Sequence, residues 1–153
     1  MEISEEQKKK YFQKVDDDIH RYGYHTTAVL EAENSTPFAY STGIFEHFKI
    51  PELFISGLGP NFSGQLIKEY VNKYKNGIVP LNEKITDLTE RFPVCFIKVN
   101  NDSLTEYVLS SIRHYENKEY EYLQLVFPDL AGNFPNEAKY NYDQKIVGEF
   151  KPI

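Results

Sequence analysis

Four histidines, one cysteine and a few carboxylates are the side chains in this sequence best suited to chemistry. His20 and His25 lie five residues apart across an expected helix end, beside Asp16, Asp17 and Asp18. That step matches neither the three- or four-residue spacing of one helix face nor the two-residue spacing of a strand. A solvated acidic helix end is a plainer reading than a metal site. His47 and His114 stand alone, and no His-x-x-x-His, Glu-x-x-His or Cys-x-x-Cys occurs, so no metal is expected. Cys95 sits between Val94 and Phe96 in an apolar run. A nucleophilic thiolate needs stabilisation and access, and this setting reads as core packing. No G-x-S-x-G elbow is present. Gly57-Leu58-Gly59 falls between a strand and a helix, as a phosphate loop would, but the third glycine of a dinucleotide fingerprint is Phe62 here. A turn into the helix, with at most a weak anion site, is expected there. Glu46, Glu52 and Asp129 each flank a strand end, where lone carboxylates are usually solvated caps.

One segment reads equally as a recognition surface or as a helix-to-strand connection whose tyrosines pack inward. Tyr115 to Tyr122 alternates tyrosine with charge. Tyrosine offers a large rigid contact area and is enriched at interfaces. Tyr120 and Tyr122 share one face of an extended strand, with Glu119 and Glu121 on the other. Tyr122 is expected to point inward, which leaves Tyr115 and Tyr120 as surface candidates and Glu116 as a rim charge. Stacking on single-stranded nucleic acid would call for Lys or Arg beside the rings, and Glu dominates here.

These residues are placed by a simple order of elements. Ser4-Glu5-Glu6-Gln7 fits a capping box, and Phe12, Val15, Ile19 and Tyr22 form a helical stripe closed by Gly23, so a helix is predicted over 4–22. Tyr24–Leu30 and Phe38–Phe45 read as strands around the turn signal Asn34-Ser35-Thr36-Pro37. Gly43 inside the second marks a bulge or a close backbone approach. Leu53–Leu58 reads as a buried strand. A helix capped by Asn61 or Ser63 then runs to about Asn76, and residues 78–92 stay ambiguous. Val94–Val99 is a strand, and Ser103-Leu104-Thr105-Glu106 is a second capping box opening a helix through Leu104, Val108 and Ile112. Tyr120–Phe127 is a further strand, and Ile146-Val147 is expected to add an edge strand. The pattern predicts an α+β single domain over 1–153, a mixed five- or six-stranded sheet with about three helices, mostly on one face.

Composition narrows the function classes. The 153 residues carry 17 Lys and Arg against 23 Asp and Glu, a net charge of −6. That balance argues against nucleic-acid and anionic-membrane surfaces. Twelve tyrosines and 11 phenylalanines supply apolar area for a core. No run is long and apolar enough for a membrane span, the first residues lack the apolar stretch of a signal peptide, and a single cysteine allows no internal disulfide. A cytoplasmic protein is expected.

The order of short motifs is more specific than any of them alone. Gly23-Tyr24, Phe38-Ala39-Tyr40-Ser41-Thr42-Gly43-Ile44, Pro51-Glu52-Leu53, Ser56-Gly57-Leu58 and Leu123-Gln124-Leu125-Val126-Phe127-Pro128-Asp129 resemble the domain of unknown function 4262 family. In that family an aromatic-Tyr-Thr-x-Gly-Leu block precedes His-Pro-Glu-Leu and, later, Leu-Gln-x-x-Trp-Pro-Asp. The resemblance spans residues from about 15 to about 147. It departs at Ile50, where the family has His, and at Phe127, where it has Trp. The resemblance implies a small bacterial protein and supplies no reaction. It singles out Tyr40, Thr42, Gly43, Glu52, Gln124 and Asp129 as residues to test together, and the first five are expected to converge at one end of the sheet.

Two functions are then expected as alternatives. One is a non-enzymatic binding protein that uses those residues, or Tyr115 and Tyr120, to hold a protein partner, such as a basic toxin steered to an acidic surface. The other is a small-molecule or nucleotide-binding enzyme with a pocket around Tyr40, Glu52 and Gln124. Neither requires a cofactor, nucleic acid or membrane. Elemental analysis of the purified protein is expected to find no stoichiometric transition metal, and about one zinc or iron per chain would contradict this reading.

Overall fold

A computed structural model describes residues 4–30 and 35–151. The first helix, α1 (Glu5–Tyr22), forms the predicted capping box. Gln7 N donates to Ser4 Oγ at 3.1 Å and Ser4 N to Gln7 Oε1 at 2.8 Å. Gly23 N donates to Ile19 O at 2.9 Å and closes it. Val15 and Ile19 are buried, while Tyr22 is 59% exposed and leaves the expected stripe.

Strand β1 (His25–Val29) pairs antiparallel with β2 (Phe38–Thr42), with Thr27 opposite Tyr40. The turn signal between them begins at Asn34, outside the described residues. β2 stops at Thr42 rather than Phe45 because Gly43 (φ 109°) turns the chain into a short helix, α2 (Ile44–Phe48). A Cβ on Gly43 would lie 2.7 Å from Gly23 O, so this is the close backbone approach the sequence suggested. β3 (Glu52–Ser56) follows, antiparallel to β2.

Helix α3 (Pro60–Tyr74) is capped two residues before Asn61 and four before Ser63, the expected caps. Gly59 is the N-cap and Pro60 opens the first turn, where a missing N–H costs nothing. β4 (Cys95–Val99) has the predicted place. The second capping box is not made. Asn100 Oδ1 instead accepts Asp102 N at 2.9 Å and caps a 3-10 turn over Asn101–Leu104, and α4 (Leu109–Tyr115) starts later. β5 (Tyr122–Val126) completes the sheet.

The strand order is β1-β2-β3-β5-β4, with β3 and β5 parallel and the other pairs antiparallel. The fold is therefore α+β, with a five-stranded mixed sheet and four α-helices among the described residues, three of them seven residues or longer. Every residue of β3 and β5 is buried, so both faces of the sheet need cover. Leu53, Ile55, Leu123 and Leu125 pack with Leu66, Ile67 and Tyr70 of α3. Tyr40, Phe54 and Tyr122 pack with Leu104, Val108 and Ile112 on the other side. The helices thus lie on both faces, not mostly on one.

The last segment, with Phe134, Ile146 and Phe150, covers Cys95, Ile97 and Val126 without forming the expected edge strand at Ile146-Val147. Side chains replace the ladder there. Val147 N and Gly148 N donate to Gln124 Oε1 at 2.9 and 3.2 Å. The ambiguous residues before β4 are irregular and line its outer edge, through Asn82 N to Phe96 O (2.9 Å) and a bridge between Ile85 and Val94.

Because Gly43 combines a left-handed φ with a backbone contact, Gly43→Ala is expected to cost about 1–3 kcal/mol from backbone strain alone. Urea unfolding measures it, and a change under about 0.5 kcal/mol, the size of an ordinary surface substitution, would show that the junction relaxes freely.

Candidate functional site

Glu52 opens β3 and is fully buried, and its carboxylate turns back onto the β2–α2 junction. Oε2 accepts Gly43 N at 2.9 Å and Phe45 N at 3.1 Å, and Oε1 accepts Ile44 N at 3.1 Å. Ser41 Oγ donates to Oε1 at 2.7 Å, and the Tyr115 hydroxyl donates to Oε2. Each of the two hydroxyls also accepts a backbone amide. Ser41 Oγ already accepts Leu53 N (2.9 Å), and Tyr115 Oη accepts Glu46 N (3.3 Å). Three amides and two hydroxyls donate to the carboxylate, five hydrogen bonds of the kind that stabilise its ionised form. Burial pushes its pKa above the ordinary range, and the bonds from Tyr115, Ser41 and the amides pull against that rise.

A chain of hydroxyls extends from this point across α4. Ser111 Oγ meets Thr42 Oγ1 at 2.6 Å, Tyr122 Oη at 2.7 Å and Ser41 O at 3.1 Å. Tyr122 Oη also donates to Ser41 O at 2.5 Å. Next to it, Tyr40 Oη donates to Ser110 Oγ at 3.1 Å, and Tyr11 Oη lies 2.9 Å from Ser110 Oγ and 2.6 Å from Thr27 Oγ1. Burial, then the Glu52 charge, raises the pKa of Tyr115 and Tyr122, which stay protonated donors. Among the described residues no buried side-chain nitrogen or oxygen lacks a partner. The network therefore ties β2, β3 and α4 together through side chains paired within the chain.

Residues 18–141 of the 153 match the profile of a known family, Domain of unknown function (DUF4262). The chain belongs to the DUF4262 family. Searches of curated proteins and of solved structures found no match. The motif residues of this DUF4262 chain divide into two groups. Tyr40, Thr42, Gly43 and Glu52 come together around α2 and α4, joined by Tyr115. Gln124 pairs in register with Phe54 on β3, which places it on the same side of the sheet as Glu52, but its bonds go elsewhere. Its Nε2 donates to Lys145 O at 2.8 Å while Oε1 takes the two tail amides. Asp129 organises a turn, accepting Ala131 N, Asn133 N and Asn141 N at 2.8–3.0 Å.

Tyr115 is only 2% exposed, so the expectation of a surface anchor fails for it. Its hydroxyl is needed by Glu52, and that demand draws the ring inside. Tyr120 is half-buried and stacks on Tyr115 with ring centroids 4.8 Å apart. The remaining candidates are also accounted for. Cys95 is buried and its thiol pKa is pushed up to about 11 by burial. Gly57 is approached by the chain's own tail, since a Cβ there would lie 2.6 Å from Asp143 O. Ile50, at the family's His position, is buried in the core under α3.

His25 Nδ1 bonds Asp18 Oδ2 at 2.7 Å, and Glu46 Oε1 lies 3.0 Å from His114 Nε2 and 3.5 Å from His47 Nδ1. Among the described residues no group of three or more His, Cys, Asp or Glu could hold a metal. Sequence reasoning missed Ser110, Ser111, Tyr11 and Ser41 as parts of the network. Two adjacent serines in a helix beside an apolar sheet were the signal available.

Gln124→Ala removes the partner of three backbone groups and is expected to lower stability by about 1–3 kcal/mol in denaturant unfolding. No measurable loss would mean that the tail is held by its apolar contacts alone. Asp129 supplies a pH dependence. Desolvation raises its pKa, but the Asn133 and Asn141 amides more than offset this, leaving it below the usual range. The unfolded state therefore binds that proton more readily. The stabilisation is complete above the unfolded pKa of about 4 and is lost as pH falls through the lower folded value. Thermal midpoints are expected to drop below that pH, and Asp129→Asn should flatten part of the drop. An identical acid limb in the variant would contradict this.

Proposed function

We propose that this chain is a non-enzymatic binding protein whose partner docks in the cleft beside Tyr120. The observation that carries this reading is the contrast between an internally paired polar network and an open, partly apolar cleft. Tyr40, Glu52 and Gln124 are buried and paired, which weighs against an enzyme built on them. The cleft has a volume of about 450 Å³, between the Gly77–Leu81 segment and the start of β5. Val79, Leu81 and Tyr120 give it an apolar lining, and Ile78 beside them is 90% exposed. An exposed isoleucine at the mouth of an apolar cleft, with an aromatic ring in its wall, is the composition of an interface centre.

The rim adds charge. Glu121 lines the cleft and Glu119 is exposed next to Tyr120, with Lys98 opposite. On a chain of net charge −6 this favours a basic protein partner that inserts an apolar side chain. A basic toxin neutralised by a small acidic bacterial domain is one partner of that description.

Affinity capture on the immobilised protein, with mass spectrometry of proteins and small molecules retained, identifies the partner. Ile78→Asp is expected to change stability by under about 0.5 kcal/mol, as for an exposed site. It should weaken the captured partner at least tenfold, about 1.4 kcal/mol. Unchanged affinity would remove the cleft from the interface, and retention of a small molecule by the wild type alone would favour a ligand pocket.

A further inference from the structure

The two edges of the sheet are treated differently. At β4, the segment around Asn82 and Ile85 covers part of the outer edge, and Lys98 adds a charge. At β1, no other segment pairs with the outer edge among the described residues. Its sequence, His25-Thr26-Thr27-Ala28-Val29, has no Lys, Pro or carboxylate to discourage pairing, and Ala28 and Val29 are exposed. Proteins usually blunt such an edge.

The open edge also lies at a groove. α1 and α3 both touch β1, and between them is a cleft of about 470 Å³. α1 presents Lys14, Asp18 and Tyr22 to it, at successive four-residue steps. α3 presents Lys68 and Asn72, and its C-cap Lys75 follows, spaced four and three. Tyr24, His25 and Thr26 lead along the β1 edge, and Phe48 adds an apolar wall. Lys14 is paired with Asp18 at 3.3 Å, and Asp18 is shared with His25 at 2.7 Å. Lys68 and Lys75 are exposed and make no ion pair among the described residues. Three lysines against one aspartate make this groove positive on a chain of net charge −6.

We propose that the groove between α1 and α3 binds an acidic, extended peptide segment of another protein, which adds to β1 as a sixth strand. The open backbone edge supplies main-chain hydrogen bonds, and the unpaired Lys68 and Lys75, with Lys14 across the groove, select carboxylate side chains. A second copy of this chain would bring the same lysines against these, and so fits less well. The proposal is independent of the Tyr120 cleft, which is lined by different residues.

The probe is the blocked peptide acetyl-Glu-Val-Glu-Val-Glu-Val-amide, titrated into the full chain and followed by amide NMR. Saturable shifts are expected in His25–Val29 and along the Lys68–Lys75 face. The Lys-Val counterpart should bind at least tenfold more weakly. Lys68→Glu with Lys75→Glu, both at exposed positions, should also weaken the acidic peptide at least tenfold while leaving the thermal midpoint unchanged. A peptide N-methylated at alternate residues should lose at least tenfold as well, because it keeps the charges and removes the strand hydrogen bonds. No saturable binding below about 1 mM, a binding free energy of about −4 kcal/mol, would overturn the proposal. Equal binding of the N-methylated peptide would overturn strand addition. A dimer in sedimentation whose β1 amides are protected without peptide would assign the edge to a second copy and overturn it too.

Discussion

A carboxylate removed from water costs several kcal/mol unless donors replace its hydration. In this protein that constraint falls on Glu52, and much of the central architecture follows from meeting it. Three consecutive amides, from Gly43, Ile44 and Phe45, must point at one spot, so the chain has to turn sharply after β2 and begin a helix there. A left-handed Gly43 packed against Gly23 O makes that turn and ties it to the end of α1. The two remaining donors, Ser41 and Tyr115, fasten β2 and α4 to the same oxygens. One side chain thus couples two strands and two helices.

The same use of polar side chains recurs where regular structure is missing. The described residues after β5, 127–151, form no strand or helix, yet they cover one side of β4 and β5. Gln124 holds them at Lys145, Val147 and Gly148. Gln144 does so from the other direction, exchanging bonds with both Phe127 N and Phe127 O. Asp129 closes the turn where the tail departs. Each is a buried polar group whose partners are backbone groups left without a ladder, which is what backbone satisfaction demands of an irregular segment in a core.

Local signals in the sequence located most elements, because caps and apolar runs act over a few residues. The Ser4 capping box, the α3 stripe and the Val94–Val99 run are of this kind. Failures came where a distant partner decided. α2 was hidden inside an apparent strand because its start depends on Glu52, and the Ser103 box lost to a 3-10 turn capped by Asn100. The motif set was legible only through resemblance, and spacing could not divide it into a Glu52 group and a tail-anchoring group. Tyr115 reads as an interface residue among alternating charges; only the carboxylate it serves, 63 positions away, explains why it is inside. The basic groove beside β1 had no sequence signal, since its lysines come from two helices and the overall charge is negative.

The motif residues are buried and paired within the fold, and the two recognition sites proposed above, the Tyr120 cleft and the β1 edge, lie on the surface. That division depends on Glu52 staying closed to solvent in the native state. Native-state hydrogen exchange of the Gly43, Ile44 and Phe45 amides, compared with the free energy of global unfolding from urea titration, tests it most directly. The expected result is that all three exchange only through global unfolding, with opening free energies equal to the titration value. Exchange through a local opening of markedly lower free energy would show that the carboxylate is accessible, and would contradict a purely structural role.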